Sequence, residues 1–135
     1  MQLAFDALDL RDAWPDSDPS ARWRLNVALS EITGTASCSL IYLELDPGFR
    51  LPRHTDSAEE IVLILPGSSI ATLPPRELDV DAGGVVVIQQ QAPHELRNNG
   101  SGVLRAVGFF ATASPVSTFD EPVMPGGTRV RGPTR

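Results

Sequence analysis

The stretch that decides the fold is GFRLPRHTDSAEEIVLILPG, residues 48–67. It begins in the turn Asp46-Pro47-Gly48 and ends on Pro66-Gly67. Between these turns lie two short runs suited to strands, 51–54 and 60–65. In extended chain, residues two apart share a face, so His54 and Asp56 project to the same side. The second run sets Glu60, Val62 and Ile64 against Ile61, Leu63 and Leu65. Both faces are apolar beyond Glu60, so parity leaves open which one is inward. The same alternation sends Glu59 to the face opposite Glu60.

Working outward, similar runs recur at 37–45, 69–73, 77–80, 85–88, 94–97 and 103–110. The separators are turn material: Pro74-Pro75, Asp81-Ala82-Gly83-Gly84 and Asn98-Asn99-Gly100. No window there sustains a helical period. Many short strands with frequent turns predict an all-β sandwich or barrel over 35–110. The segment 1–34 reads as an N-terminal extension with one alternating stretch near 25–29. The segment 111–135 carries Pro and Gly with little periodicity. It is expected to be an extended tail on the barrel or on a partner, with its last few residues disordered.

The chain has 135 residues, enough for one domain with one core. Its formal net charge is −6 and it contains no lysine, which argues against nucleic-acid and anionic-membrane partners. No stretch approaches the ~18 apolar residues of a membrane span. The N-terminus lacks the basic and apolar regions of a signal peptide, so a cytoplasmic location is expected. Cys38 is the only cysteine, which excludes an intrachain disulfide. It lies in an apolar run and reads as a small core residue.

Chemistry concentrates around the two histidines, His54 and His94. Imidazole and carboxylate together suit Fe, Zn, Ni, Cu and Mn, and two His with one carboxylate is the set of non-haem iron sites. The second histidine lies in GGVVVIQQQAPHELRN, residues 83–98. The two stretches resemble the paired cupin motifs G-x5-H-x-H-x3,4-E-x6-G and G-x5-P-x-G-x2-H-x3-N. The first is matched by Gly48, His54, Asp56, Glu60 and Gly67, with Asp56 where the second histidine usually stands. The second is matched by Gly83, His94 and Asn98, with Gln89 and Gln91 in place of Pro and Gly.

The resemblance implies a single-domain cupin: a double-stranded β-helix, or jelly-roll barrel. It implies one divalent metal held by His54, Glu60 and His94, with Fe(II) first and Zn, Mn or Ni as alternatives. Asp56 is open to several roles. It is a direct ligand, a ligand through water, a partner of a ligand histidine, a general base, or a solvent-facing turn residue. Glu60 is also a catalytic candidate. Gln89, Gln91 and Tyr42 are candidates for the pocket of a small-molecule substrate. Three functions follow: an Fe(II) dioxygenase, a redox-neutral cyclase or isomerase of the polyketide-tailoring type, and a non-catalytic binding module. Small cupins commonly pair by strand exchange. The resemblance therefore implies a homodimer, with 1–34 and 111–135 as its exchange or interface segments.

Overall fold

The computed structural model describes residues 1–133. Their strands, in chain order, are β1 Arg11–Pro15, β2 Trp23–Leu29, β3 Ser39–Leu45, β4 Arg50–Asp56, β5 Glu60–Ile64 and β6 Ser68–Leu73. They continue as β7 Arg76–Asp81, β8 Val85–Ile88, β9 His94–Asn98, β10 Leu104–Phe110, β11 Ser117–Met124 and β12 Thr128–Arg131. Short 3-10 turns occupy Phe5–Ala7 and Glu31–Thr33. No helix among the described residues is long and apolar enough to cross a membrane.

The strands form one antiparallel path, β7-β6-β9-β4-β11-β1-β2-β3-β10-β5-β8, with β12 added on β11. The path curls into a nearly closed barrel. Its two ends, β7 and β8, are consecutive in the chain but not paired. The eight strands expected between 37 and 110 are all present, with ends within two residues of those read from the sequence. Turn chemistry explains this agreement. Gly67, at φ 116°, closes the β5–β6 turn, and a Cβ there would stand 3.1 Å from the Cα of fully buried Leu104. Asn98 is also fully buried. Its amide donates to the carbonyls of Leu45 and Gly102, both at 2.8 Å, and its Oδ1 accepts from the Gly100 N–H.

The barrel interior holds the main core. Leu43, Leu45, Ile64, Ile88, Leu96 and Leu104 are its aliphatic centre, with Trp23 stacked on Phe119 at one side. Truncating one of these leucines to alanine costs about 2–5 kcal/mol. On β5 the inward residues are Glu60, Val62 and Ile64, which answers the question that parity left open. A second core lies outside the barrel, where Phe5, Leu8 and Leu10 cover Leu40, Tyr42 and Val107.

The segments flanking the central strands are defined more closely, and one reading needs correction. The tail is regular: β11 and β12 form an antiparallel hairpin, and β11 lies between β4 and β1. The last two residues, where disorder was expected, lie outside the described residues. The N-terminal segment supplies β1 as well as β2, and both pair within the chain. Cys38 is exposed, because it lies just before β3 rather than on an inward face of it.

Candidate metal centre

β4 and β9 are antiparallel neighbours, and their register puts His54 directly opposite His94. A bulge between Leu51 and His54 sets this register, keeping Leu51 inward on one side of it and His54 inward on the other. The ring centroids are 4.1 Å apart and the ring planes are tilted by 54°. His54 Nδ1 is 2.8 Å from the Pro52 carbonyl, and His94 Nδ1 is 2.9 Å from the Ala92 carbonyl. A carbonyl only accepts, so each Nδ1 carries the hydrogen. Both Nε2 atoms are thereby turned toward a common point.

Asp56 completes that point. Its Oδ2 is 3.2 Å from His94 Nε2 and 3.6 Å from His54 Nε2. Its Oδ1 is held by the Ser117 hydroxyl, which donates at 2.5 Å from β11. His54, Asp56 and His94 are all buried, and their ligating atoms lie within 4.8 Å of one another. Glu60 stands beside this triad, with Oε1 3.5 Å from His94 Nε2. It leans over Gly108 of β10, where a Cβ would come within 2.1 Å of its Oε2. The glycine makes room for the carboxylate.

Burial sets the electrostatics. His54 is pushed down to about 4 by desolvation and by the nearby His94, so it is a neutral imidazole. Burial alone would lower His94 as well, but the Asp56 and Glu60 carboxylates outweigh it and raise the group to about 10. For Asp56, burial works upward and is overcome by His94, His54 and Ser117, which hold it below the usual carboxylate range. Glu60 is raised to about 6, by burial first and by the charge of Asp56 as well.

The other residues singled out in the sequence lie elsewhere. Tyr42 belongs to the outer core, stacked on Phe5 at 4.9 Å, with its hydroxyl donating to Glu44 and accepting from Arg105. Gln89 and Gln91 are exposed on the β8–β9 loop. The Gln91 backbone N–H donates to the Asp56 carbonyl at 2.9 Å, and the Gln90 side chain donates to the Ser57 carbonyl. The loop thus braces the β4 end of the site through its backbone. Arg50, Arg53 and Arg105 pair with Asp18, Asp120 and Asp6. Sequence reasoning missed Ser117 and Phe119, the latter stacked on His54 at 4.8 Å. Gly108 was also missed, although a glycine inside an apolar strand is a usable signal.

A family model for the cupin domain matches residues 41–110, just over half of the 135-residue chain. The chain is a cupin. Among solved structures it is similar to a proposed sugar phosphate isomerase from Acidithiobacillus ferrooxidans, with TM-score 0.68 and 18% identity over 87% of this chain and 80% of that one. It is similar to the polyketide cyclase RemF from Streptomyces resistomycificus, with TM-score 0.67 and 17% identity over 82% and 78%. It is also similar to an oxalate oxidase in complex with glycolate, with TM-score 0.68 and 23% identity over 77% and 57%. At these identities the likeness shows the fold. No curated protein sequence matches the chain.

Two observations test whether this cupin's residues fit a metal ion. Asp56 Oδ2 and His94 Nε2 are buried and face each other at 3.2 Å, and neither makes a well-aligned hydrogen bond. Buried polar atoms are rarely left so, and a cation between them satisfies both. Two donors each ~2.1 Å from one ion stand roughly 3.0–3.4 Å apart, and the separations of 3.2 and 3.6 Å are close to that range. The residues fit. The donor set of two imidazoles and a carboxylate suits Fe, Zn, Mn or Ni. Beside Glu60 and His94 the barrel keeps an apolar cavity of about 30 Å³, room for about two waters.

Proposed function

We propose that this cupin is a metal-dependent enzyme acting on a small organic molecule, with Fe(II)-dependent dioxygenation as the leading chemistry. The observation that supports this reading is the convergence of three buried donor atoms, Asp56 Oδ2, His94 Nε2 and His54 Nε2, with no well-aligned hydrogen bond between Asp56 Oδ2 and His94 Nε2. His54, Asp56 and His94 would hold the ion, and an iron there supplies dioxygen chemistry and Lewis acidity. The chain's own residues do the rest. The Pro52 and Ala92 carbonyls fix both imidazole tautomers. Ser117 fixes the Asp56 carboxylate. The apolar walls, Leu51, Val62, Ile88 and Leu96 among them, exclude bulk water. The small cavity admits the reactive end of a substrate rather than a whole large molecule.

Glu60 favours a second reading, a redox-neutral cyclisation or isomerisation. Its carboxyl titrates at about 6 in an apolar site, so near neutral pH its Oε1 can take a proton from substrate and return it. Elemental analysis of protein purified without added metal or chelator comes first. Oxygen uptake by the iron-loaded protein over a panel of small organic acids and phenols then separates the two readings. Uptake dependent on iron and substrate supports the dioxygenase. Product isomeric with substrate, formed without oxygen, supports the second reading. A protein that takes up none of iron, zinc, manganese or nickel defeats both.

A further inference from the structure

Two irregularities of the sheet face each other across a gap. β11 pairs with β4 only from Ser117 to Phe119, opposite Asp56 to His54. It then crosses to β1, which it meets at Val123 and Met124. On the way Asp120, Glu121 and Pro122 pair with neither strand. On the other side of the gap β4 carries its bulge, where Pro52 and Arg53 stand against the single residue Glu95 of β9. Between the two lies a cleft of about 160 Å³, much larger than the cavity beside Glu60.

The cleft is apolar at its base and charged at its rim. Pro15, Phe119 and Val123, all buried, form the base, with Pro52 at one side. The rim sets the carboxylates of Asp18, Glu95, Asp120 and Glu121 against the guanidiniums of Arg50 and Arg53. Arg50 pairs with Asp18, and Arg53 with Asp120. Glu121 accepts from the Ser17 hydroxyl, which leaves its charge intact. Glu95 makes no ion pair among the described residues. The rim therefore holds two carboxylates that no cation answers. The chain contains no lysine, so it has no side-chain ammonium of its own to place there.

We propose that this cleft is a binding site for a small organic amine, a single ring or short chain that ends in an ammonium group. Size sets the body of the ligand, since an apolar cavity of ~150 Å³ holds benzene. Charge sets its end. An ammonium donates to carboxylates and meets the uncompensated charge of Glu95 and Glu121. A bare divalent ion suits the cleft less well, because a hard cation wants oxygens on several sides and the base presents carbon. The site is separate from the donors of the metal centre but shares a wall with them. The Phe119 ring closes the cleft, stacks on His54 at 4.8 Å and is backed by Trp23 at 5.4 Å.

The test is calorimetric titration of the full chain at low salt with benzylamine, methylammonium and benzoate. Benzylamine should bind with a dissociation constant of ~1 mM or tighter, and no binding up to ~10 mM overturns the proposal. Methylammonium lacks the apolar body and benzoate reverses the charge, so each should bind about tenfold more weakly. Either one binding as tightly as benzylamine overturns the ligand class. Glu95→Gln combined with Glu121→Gln should weaken benzylamine by about tenfold. Glu77→Gln, the same change at an exposed residue on β7, should not, and an equal loss there overturns the assignment of the rim. Nuclear Overhauser contacts locate the ligand without any variant. They should run from the benzylamine ring to Phe119 and Val123, and contacts confined to other residues overturn the site.

Discussion

Ser117 reaches Asp56 from 61 residues away in the chain and decides where that carboxylate points. Ser117→Ala frees Oδ1, and the other oxygen loses its aim at the histidines. Partners of this kind typically account for 10–100-fold in metal affinity, and a chelator competition should show a loss of that order while the fold persists. His94→Ala removes one of only two imidazoles and should abolish stoichiometric metal. Gly108→Ala pushes a methyl into the Glu60 carboxylate, so turnover should fall by more than metal content does. The pH dependence follows from His94, raised to about 10 by its two carboxylate neighbours. A metal must displace that proton, so affinity should rise about tenfold per pH unit through neutral pH and up to about 10. An isolated histidine would level off near 7. Stability of the metal-free protein runs the other way. The contribution of His94 is complete below the unfolded value of about 6.5 and is lost as pH climbs toward 10. Metal-free Tm should therefore drop between pH 7 and 10, and loaded protein should be spared. Parity put His54 and Asp56 on one face, and the resemblance to the paired motifs implied Glu60 and His94 beside them. Neither could expose Ser117, whose role depends on which distant strand becomes the neighbour of β4.

Among the elements, the β8–β9 loop shows what a departure from motif means. Gln91 stands at the motif's glycine position, and it adopts φ 62°, the one left-handed non-glycine among the described residues. The turn still requires that conformation, which side chains other than glycine adopt with strain. Gln91→Gly should raise stability by about 1 kcal/mol, read as a Tm increase of roughly 3 °C. The eight central strands were legible because apolar runs and Pro or Gly turns alternate along them. β11 was not. Its inward residues are Phe119 and Val123, with Asp120, Glu121 and Pro122 between them, which hides the two-residue period. β1 ends on Pro15 and holds only one other fully inward residue, Ala13. Both strands owe their place to pairing with each other and with β2 and β4 rather than to a local pattern. The sequence therefore showed an extended tail on the barrel without showing the strands within it.

For the molecule as a whole, a metal that binds only the folded barrel adds stability by mass action. At a free concentration of about 100 times Kd the gain is about 2.7 kcal/mol, which thermal unfolding should show as a rise of about 8–10 °C. A chelator should reverse it. The barrel is also dominated by pairings between remote segments. Ser17 bonds Glu121 across 104 positions, and β1 pairs with β11. Such topologies close slowly. The position of β11 between β4 and β1 then carries a consequence in time. His54, Asp56, Glu60 and His94 have all left the ribosome before Ser117 does. A nascent chain thus holds every donor atom but not the strand that aims one of them. The centre reaches full affinity only once β11 has taken its place beside β4, so tight metal loading follows that pairing rather than guiding it.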